Sequence, residues 1–231
     1  MCLNCNMNPV LASGVAAIFV FVMAYGVLAI YALDSGTFNR YRIRPVTVRY
    51  PPVRRHYLVI GFNGTLSTGY YLAFLFLFGD QVIHNGPVTI WTVLFQVAGI
   101  LLVFELLYYG MHRGLHHPVM FRWIHGTHHK VRYPEALDGL YINPVEALAA
   151  LTLLFASMYL FAPLSVVSFL TIAFVHAWVN IVVHTSLVFP HPALRWMNNW
   201  VIRHDHHHWK DQNKNFASII PLWDLLFGTY K

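Results

Sequence analysis

Five apolar runs, each near the length that crosses a lipid bilayer, constrain this chain more than any other feature. Residues 10–33 carry no charge, and as a helix they would extend ~36 Å, more than the ~30 Å of a bilayer core. Further runs cover 57–79, 88–111, 145–162 and 164–187, the last two hinged at Ala162-Pro163. The chain is 57% hydrophobic and only 10% charged, against about 25% charge in a soluble domain. These features predict an all-α protein, a multi-pass transmembrane bundle of four to five spans in hairpins. The runs leave no room for a second domain, so residues 1–231 are read as one integral-membrane unit. The first run has no basic segment before it and is expected to be a retained helix, not a cleaved signal. Cys2 and Cys5 lie too near the terminus to staple the fold and are read as part of a tail.

The net charge of +6 is informative through its placement. All fifteen Lys and Arg fall in three stretches, 34–56, 112–143 and 190–231. Segments 1–9 and 80–87 and the 162–163 hinge have none. Five crossings put the three basic stretches on one side, and the positive-inside rule makes that side cytosolic. The charge is thus accounted for by topology, and no nucleic-acid partner is expected. A cytosolic helical cap should form from 112–143 and 190–231.

That cap holds an excess of histidine. His112 and His116 form an HxxxH box; His125, His128 and His129 form HxxHH; His204, His207 and His208 form a second HxxHH, with His206 between them. On a helix, positions three or four apart share a face, so each box can aim two or three imidazoles at one point. Neutral imidazole suits iron, zinc, copper or nickel. Eight such ligands exceed one four-coordinate zinc site and fit two metals. Histidines lying at a lipid interface without a metal are the plainer alternative. A membrane metal transporter or storage protein is another, although transport would call for polar ligands at several depths.

The residues around the boxes carry a resemblance. Glu105-Leu-Leu-Tyr108-Tyr109 leads into His112-Arg113 and His116-His117-Pro118, and Asn215-Phe216-Ala217 follows the third box. The chain closes on Trp223-Asp224-Leu225-Leu226-Phe227-Gly228-Thr229. From Glu105 to Tyr230 the chain resembles the fatty acid hydroxylase / sterol desaturase family of membrane di-iron enzymes. Tyr41-Arg42-Ile43-Arg44-Pro45 is similar to a segment that follows the first span in that family. Glu105 stands where an aspartate is commoner, and Asn143-Pro144-Val145-Glu146 where His-Pro-x-Glu is frequent.

The resemblance implies O2-dependent oxidation of a lipid such as a sterol, fatty acyl or sphingoid chain. Two iron ions would be held by His112, His116, His125, His128, His129, His204, His207 and His208, with His184 added from the last span. Zinc can take the place of iron in a purified sample, since the imidazole set accepts both. Glu105 would support a ligating imidazole from behind, and Asp205 could do so in the third box. His176 lies about 12 Å deeper than His184 by helical rise and is expected behind the ligands or facing substrate. Asn180, between them, would hold a metal-bound water or make a helix contact. Hydroxylation leads, and desaturation is the alternative. Electrons would come from a separate carrier, cytochrome b5-like, a ferredoxin or a reductase, docking on the basic face. The membrane would be a bacterial inner membrane or the endoplasmic reticulum.

Overall fold

The computed structural model describes residues 37–44, 53–84 and 86–231, together with Gly14 and Gly26. The span expected at 10–33 and the cysteines Cys2 and Cys5 otherwise lie outside the described residues. Helices account for nearly all regular structure: α1 (Val53–Val82), α2 (Ile90–Leu115), α3 (Pro118–Trp123), α4 (Pro144–Leu160), α5 (Val166–Val183), α6 (Arg195–Trp209) and α7 (Leu222–Leu226). Two-residue strands, β1 (Ile83–His84) and β2 (Leu164–Ser165), precede α2 and α5. Arg54–Val82, Ile90–Leu115 and Val166–Val183 are long and apolar enough to cross a membrane; α4 is apolar but shorter, with 17 residues. The protein is an all-α integral membrane protein.

Local chemistry sets the helix starts. Thr89 accepts a hydrogen bond from the Thr92 N–H, Ser165 from Ser168 and Asn143 from Val145, each satisfying an otherwise open donor. Pro144 sits in the first turn of α4, where its missing N–H leaves no donor unsatisfied. The long helices pack through one apolar core in which Phe74 stacks on Phe155 at 4.1 Å, with Ile100, Phe104, Leu154, Met158 and Phe169 buried around them. Their outer faces are also apolar: Phe76 is 79% exposed and Trp91 76%. A helix that is hydrophobic all round belongs in lipid, and these residues face it.

At one end of the bundle, β1 and β2 pair in parallel and tie the connection after α1 to the connection after α4. The Gln96 amide locks this junction. It donates to the Pro163 carbonyl at 3.1 Å and accepts from the Ser168 hydroxyl at 2.7 Å. The chain reaches the opposite end after α2 and after α5, and every histidine box lies there.

Candidate metal centre

His112 occupies the last turn of α2, and His116 follows it. The short 3-10 turn His125–Lys130 carries His125, His128 and His129; His184 ends α5; α6 carries His204, His207 and His208. These nine imidazoles gather into two groups. One holds His112, His116, His125, His129 and His207, the other His128, His184, His204 and His208, and within each the ligand nitrogens lie within 4.8 Å of one another.

The spacing of the boxes suggested that each would aim at one point. The second and third boxes instead straddle the two groups. His125 and His129 face the five-histidine group while His128 faces the other. On α6, His204 and His208 share a face through their i,i+4 spacing, and His207 turns toward the five-histidine group. This division brings the groups side by side: the His129 ring stacks on His208 at 4.6 Å.

The hydrogen bonds fix the tautomers. Nδ1 of His112 donates to the Phe216 carbonyl at 2.7 Å, that of His207 to Lys214 at 2.7 Å, and that of His208 to Val131 at 3.0 Å. His184 donates to the Asn180 carbonyl at 2.6 Å and His128 to Tyr141 at 3.4 Å. His125 donates to the Glu146 carboxylate at 2.8 Å. A carbonyl oxygen only accepts, so each Nδ1 carries its ring's proton and each Nε2 is left with a lone pair.

Those lone pairs face one another. Nε2 of His112 lies 3.2 Å from Nε2 of His125; His128 lies 3.3 Å from His184 and 3.1 Å from His208. With both protons already committed at Nδ1, none of these pairs can form a hydrogen bond. Separations near 3 Å are the edges of a polyhedron of nitrogens each about 2.0–2.1 Å from a shared cation. The donor set therefore fits metal ions, one per group.

Electrostatics agree. Burial pushes the pKa of His184 down to about 4 and that of His116 to about 3; His128, His204, His207 and His208 are held well below the ordinary histidine value by burial and by their neighbouring imidazoles. At neutral pH these rings are uncharged and available as ligands.

The residues expected behind the ligands fall differently. Glu105, fully buried, makes no hydrogen bond to an imidazole among the described residues. Its carboxylate accepts from the N–H groups of Ser218, Ile219 and Ile220 at 3.1, 3.0 and 3.2 Å. It holds the strand of chain whose Phe216 carbonyl orients His112, so its support reaches the ligand through the backbone. Asp205 pairs with Arg44 at 2.8 Å and makes no hydrogen bond to an imidazole among the described residues. His176 packs edge-on against Phe104 at 5.4 Å and belongs to neither group. Asn180 contributes its backbone carbonyl to His184 and is among the residues that line a small cleft beside the ligands.

Sequence reasoning missed Glu146 as the partner of His125, although Asn143-Pro144-Val145-Glu146 marked the place. It also left His56 without a role. His56 pairs with Asp138 at 2.7 Å and stacks on Tyr141 at 4.8 Å, clamping the 3-10 turn Ala136–Leu140. Gly139 in that turn abuts the ligand shell: a Cβ there would lie 2.9 Å from Nδ1 of His184 and 3.0 Å from the Asn180 carbonyl. Nothing in the sequence marks that approach.

The profile of the fatty acid hydroxylase family matches residues 97–229. The chain belongs to the fatty acid hydroxylase family. Relatives include a Delta(7)-sterol 5(6)-desaturase of Leptosphaeria maculans, 27% identical over 61% of this chain and 38% of the relative. Methylsterol monooxygenase 1 of Rattus norvegicus is 27% identical over 58% of the chain and 46% of its own length. The sphingolipid C4-hydroxylase sur2 of Schizosaccharomyces pombe is 33% identical over 53% and 43% respectively. This fatty acid hydroxylase family member thus spans less than half the length of each. No solved structure matches. The family match begins at residue 97 in α2 and takes in all nine clustered histidines.

Proposed function

We propose that the protein oxidises a membrane lipid with O2 at a pair of iron ions, one in each histidine group. The observation that carries this reading is the set of opposed Nε2 lone pairs, which call for cations and for two of them. Groups of five and four nitrogens suit iron, which accepts more ligands than a four-coordinate zinc site provides. Bound there, iron would supply the chemistry of O2 activation and C–H oxidation.

The remaining roles belong to the protein. The backbone carbonyls and Glu146 hold each ring in place. The small cleft beside the ligands sets the apolar side chains of Val183, Trp200, Phe216 and Ala217 against the polar Tyr108, Asn180, Arg203 and Ser218. Hydroxylation is the expected outcome: RH, O2, two electrons and two protons give ROH and water. The electrons need an external donor, and the exposed Arg113, Arg122, Lys130, Arg132 and Lys210 offer an acidic carrier a docking face on the cytosolic side.

Purified protein should carry two metal ions per chain by elemental analysis. Cells expressing it should incorporate isotope-labelled oxygen from O2 into a lipid. His128→Ala and His207→Ala should each abolish that product while the protein still inserts. The two substitutions should not add, because the groups act as one centre. His84→Ala, at the far end in β1, should retain activity near normal. Two bound metals without any lipid oxidation, or full activity in His128→Ala, would refute the reading.

A further inference from the structure

The cleft beside the ligands has one wall that metal binding does not explain. His112 of the five-histidine group and His184 and His204 of the four-histidine group line it together with Arg203. Arg203 is only 3% exposed, and its Nε and Nη1 are buried without a hydrogen-bond partner among the described residues. Buried guanidinium N–H groups are rarely left unsatisfied, since each loses its hydration without recompense.

Two carboxylates, Asp224 and Glu105, act on its charge, and the guanidinium lies 6.0 Å from the centre of the Tyr230 ring, a contact that takes none of its N–H groups. Neither carboxylate takes its protons. Glu105 is occupied by the three backbone N–H groups of 218–220. Asp224 accepts from the N–H groups of Phe216 and Ala217 at 2.8 and 2.9 Å and from the Thr229 hydroxyl at 2.8 Å. Both act as pure acceptors, the role of ionised carboxylates. The charge of Arg203 is therefore already met, twice over, while its directional donors remain open. An additional anion would be repelled by the two carboxylates; a neutral oxygen would accept from Arg203 without that repulsion.

We propose that Arg203 donates hydrogen bonds to a neutral oxygen, a hydroxyl or a carbonyl, carried by the lipid substrate, and that the carbon oxidised lies within a few bonds of that oxygen. The position follows from the cleft itself. Arg203 precedes the ligand His204 in the chain, and the same small space is bounded by ligands of both groups. A substrate held by Arg203 presents its oxygen-bearing end to the metals, not the middle of an alkyl chain. This rests on the lipid-oxidation reading above and narrows it to neutral, oxygen-bearing lipids.

The test uses full-length, metal-loaded protein in lipid nanodiscs and competition binding against radiolabelled hexadecanol. Hexadecanol and 2-heptadecanone should compete at least about tenfold better than hexadecane, the yield of a hydrogen bond to a charged donor. Palmitate should compete less well than hexadecanol. Arg203→Met should erase the preference for oxygen. Arg203→Lys, which keeps a charge between Glu105 and Asp224, should keep two metals and lose much of it. Equal binding of alcohol and alkane by the wild type would overturn the proposal even if neither variant folds. Tighter binding of palmitate, or an undiminished preference in Arg203→Met, would do the same. Under turnover, the new oxygen should appear within a few carbons of the existing one; mid-chain oxidation would overturn the positional claim. Failure of the di-iron reading would show separately, as missing metal or missing oxidation in the wild type.

Discussion

Adding a single methyl group at Gly139 should remove one metal and spare the other. The new Cβ would sit 2.9 Å from Nδ1 of His184, 2.9 Å from the Asn180 side-chain nitrogen and 3.0 Å from the Asn180 backbone carbonyl. Comfortable contact needs about 3.5 Å, so His184 or the turn must shift by roughly half an ångström. The carbonyl belongs to α5 and cannot swing aside. The His56–Asp138 pair and the two bonds from the Asn63 amide to the Leu140 and Ile142 carbonyls, at 2.9 and 2.8 Å, hold the turn from the other side. The imidazole therefore moves, and it moves where its 2.6 Å bond to Asn180 is made. Metal–ligand distances in well-formed sites agree with standard values to within about 0.2 Å, so a shift of that imidazole strains the site. Loss of such orienting support typically lowers affinity ten- to a hundredfold, about 1.4–2.8 kcal/mol. His184 belongs to the four-histidine group alone, so the five-histidine group should stay filled. Elemental analysis of Gly139→Ala across a chelator titration should show one metal lost early and one held as in the wild type. Retention of both with wild-type affinity would refute the claim that this turn positions His184.

Glu146→Ala should weaken the other group by a similar ten- to hundredfold, because His125 loses the acceptor that fixes its tautomer; the same chelator titration distinguishes the two variants by spectroscopy of the remaining site. The metal-free protein should lose stability in mild acid: unfolded histidine binds a proton below about 6.5, whereas His184 in the fold does so only near 4. The unfolded chain thus holds more protons between those values, and thermal unfolding of chelated protein should shift downward as the pH falls through that window; an unchanged midpoint would refute it. A membrane-impermeant thiol reagent should label Met120→Cys and Lys210→Cys from the same side and Gly86→Cys from the other, and labelling of positions 120 and 210 from opposite sides would overturn the topology.

Much of this was legible from spacing. Apolar runs long enough to cross a bilayer marked the helices Ile90–Leu115 and Val166–Val183, and i,i+3 and i,i+4 histidines marked the centre. What spacing cannot carry is the partner a side chain finds across the fold. Glu105 lies seven residues before His112, as if to face it, yet its carboxylate meets amides from residues 218–220. His176 and His184 are eight residues apart on one helix, and only His184 reaches the ligand shell, because His176 is packed against Phe104. The split of His128 from His125 and His129 is not what the i,i+3 eclipsing of a 3-10 turn would give, and the motif alone leaves it open. Arg203 is unremarkable in the sequence; only its burial without partners singles it out.

Five of the nine rings are aimed by main-chain oxygens, at Val131, Tyr141, Asn180, Lys214 and Phe216. Every residue type carries that oxygen. The side chain at 214 can therefore drift with little effect on the centre, whereas adding or deleting one residue near 131 or 214 would carry the wrong carbonyl to the ring. Around this candidate centre, evolution is freer in identity than in length.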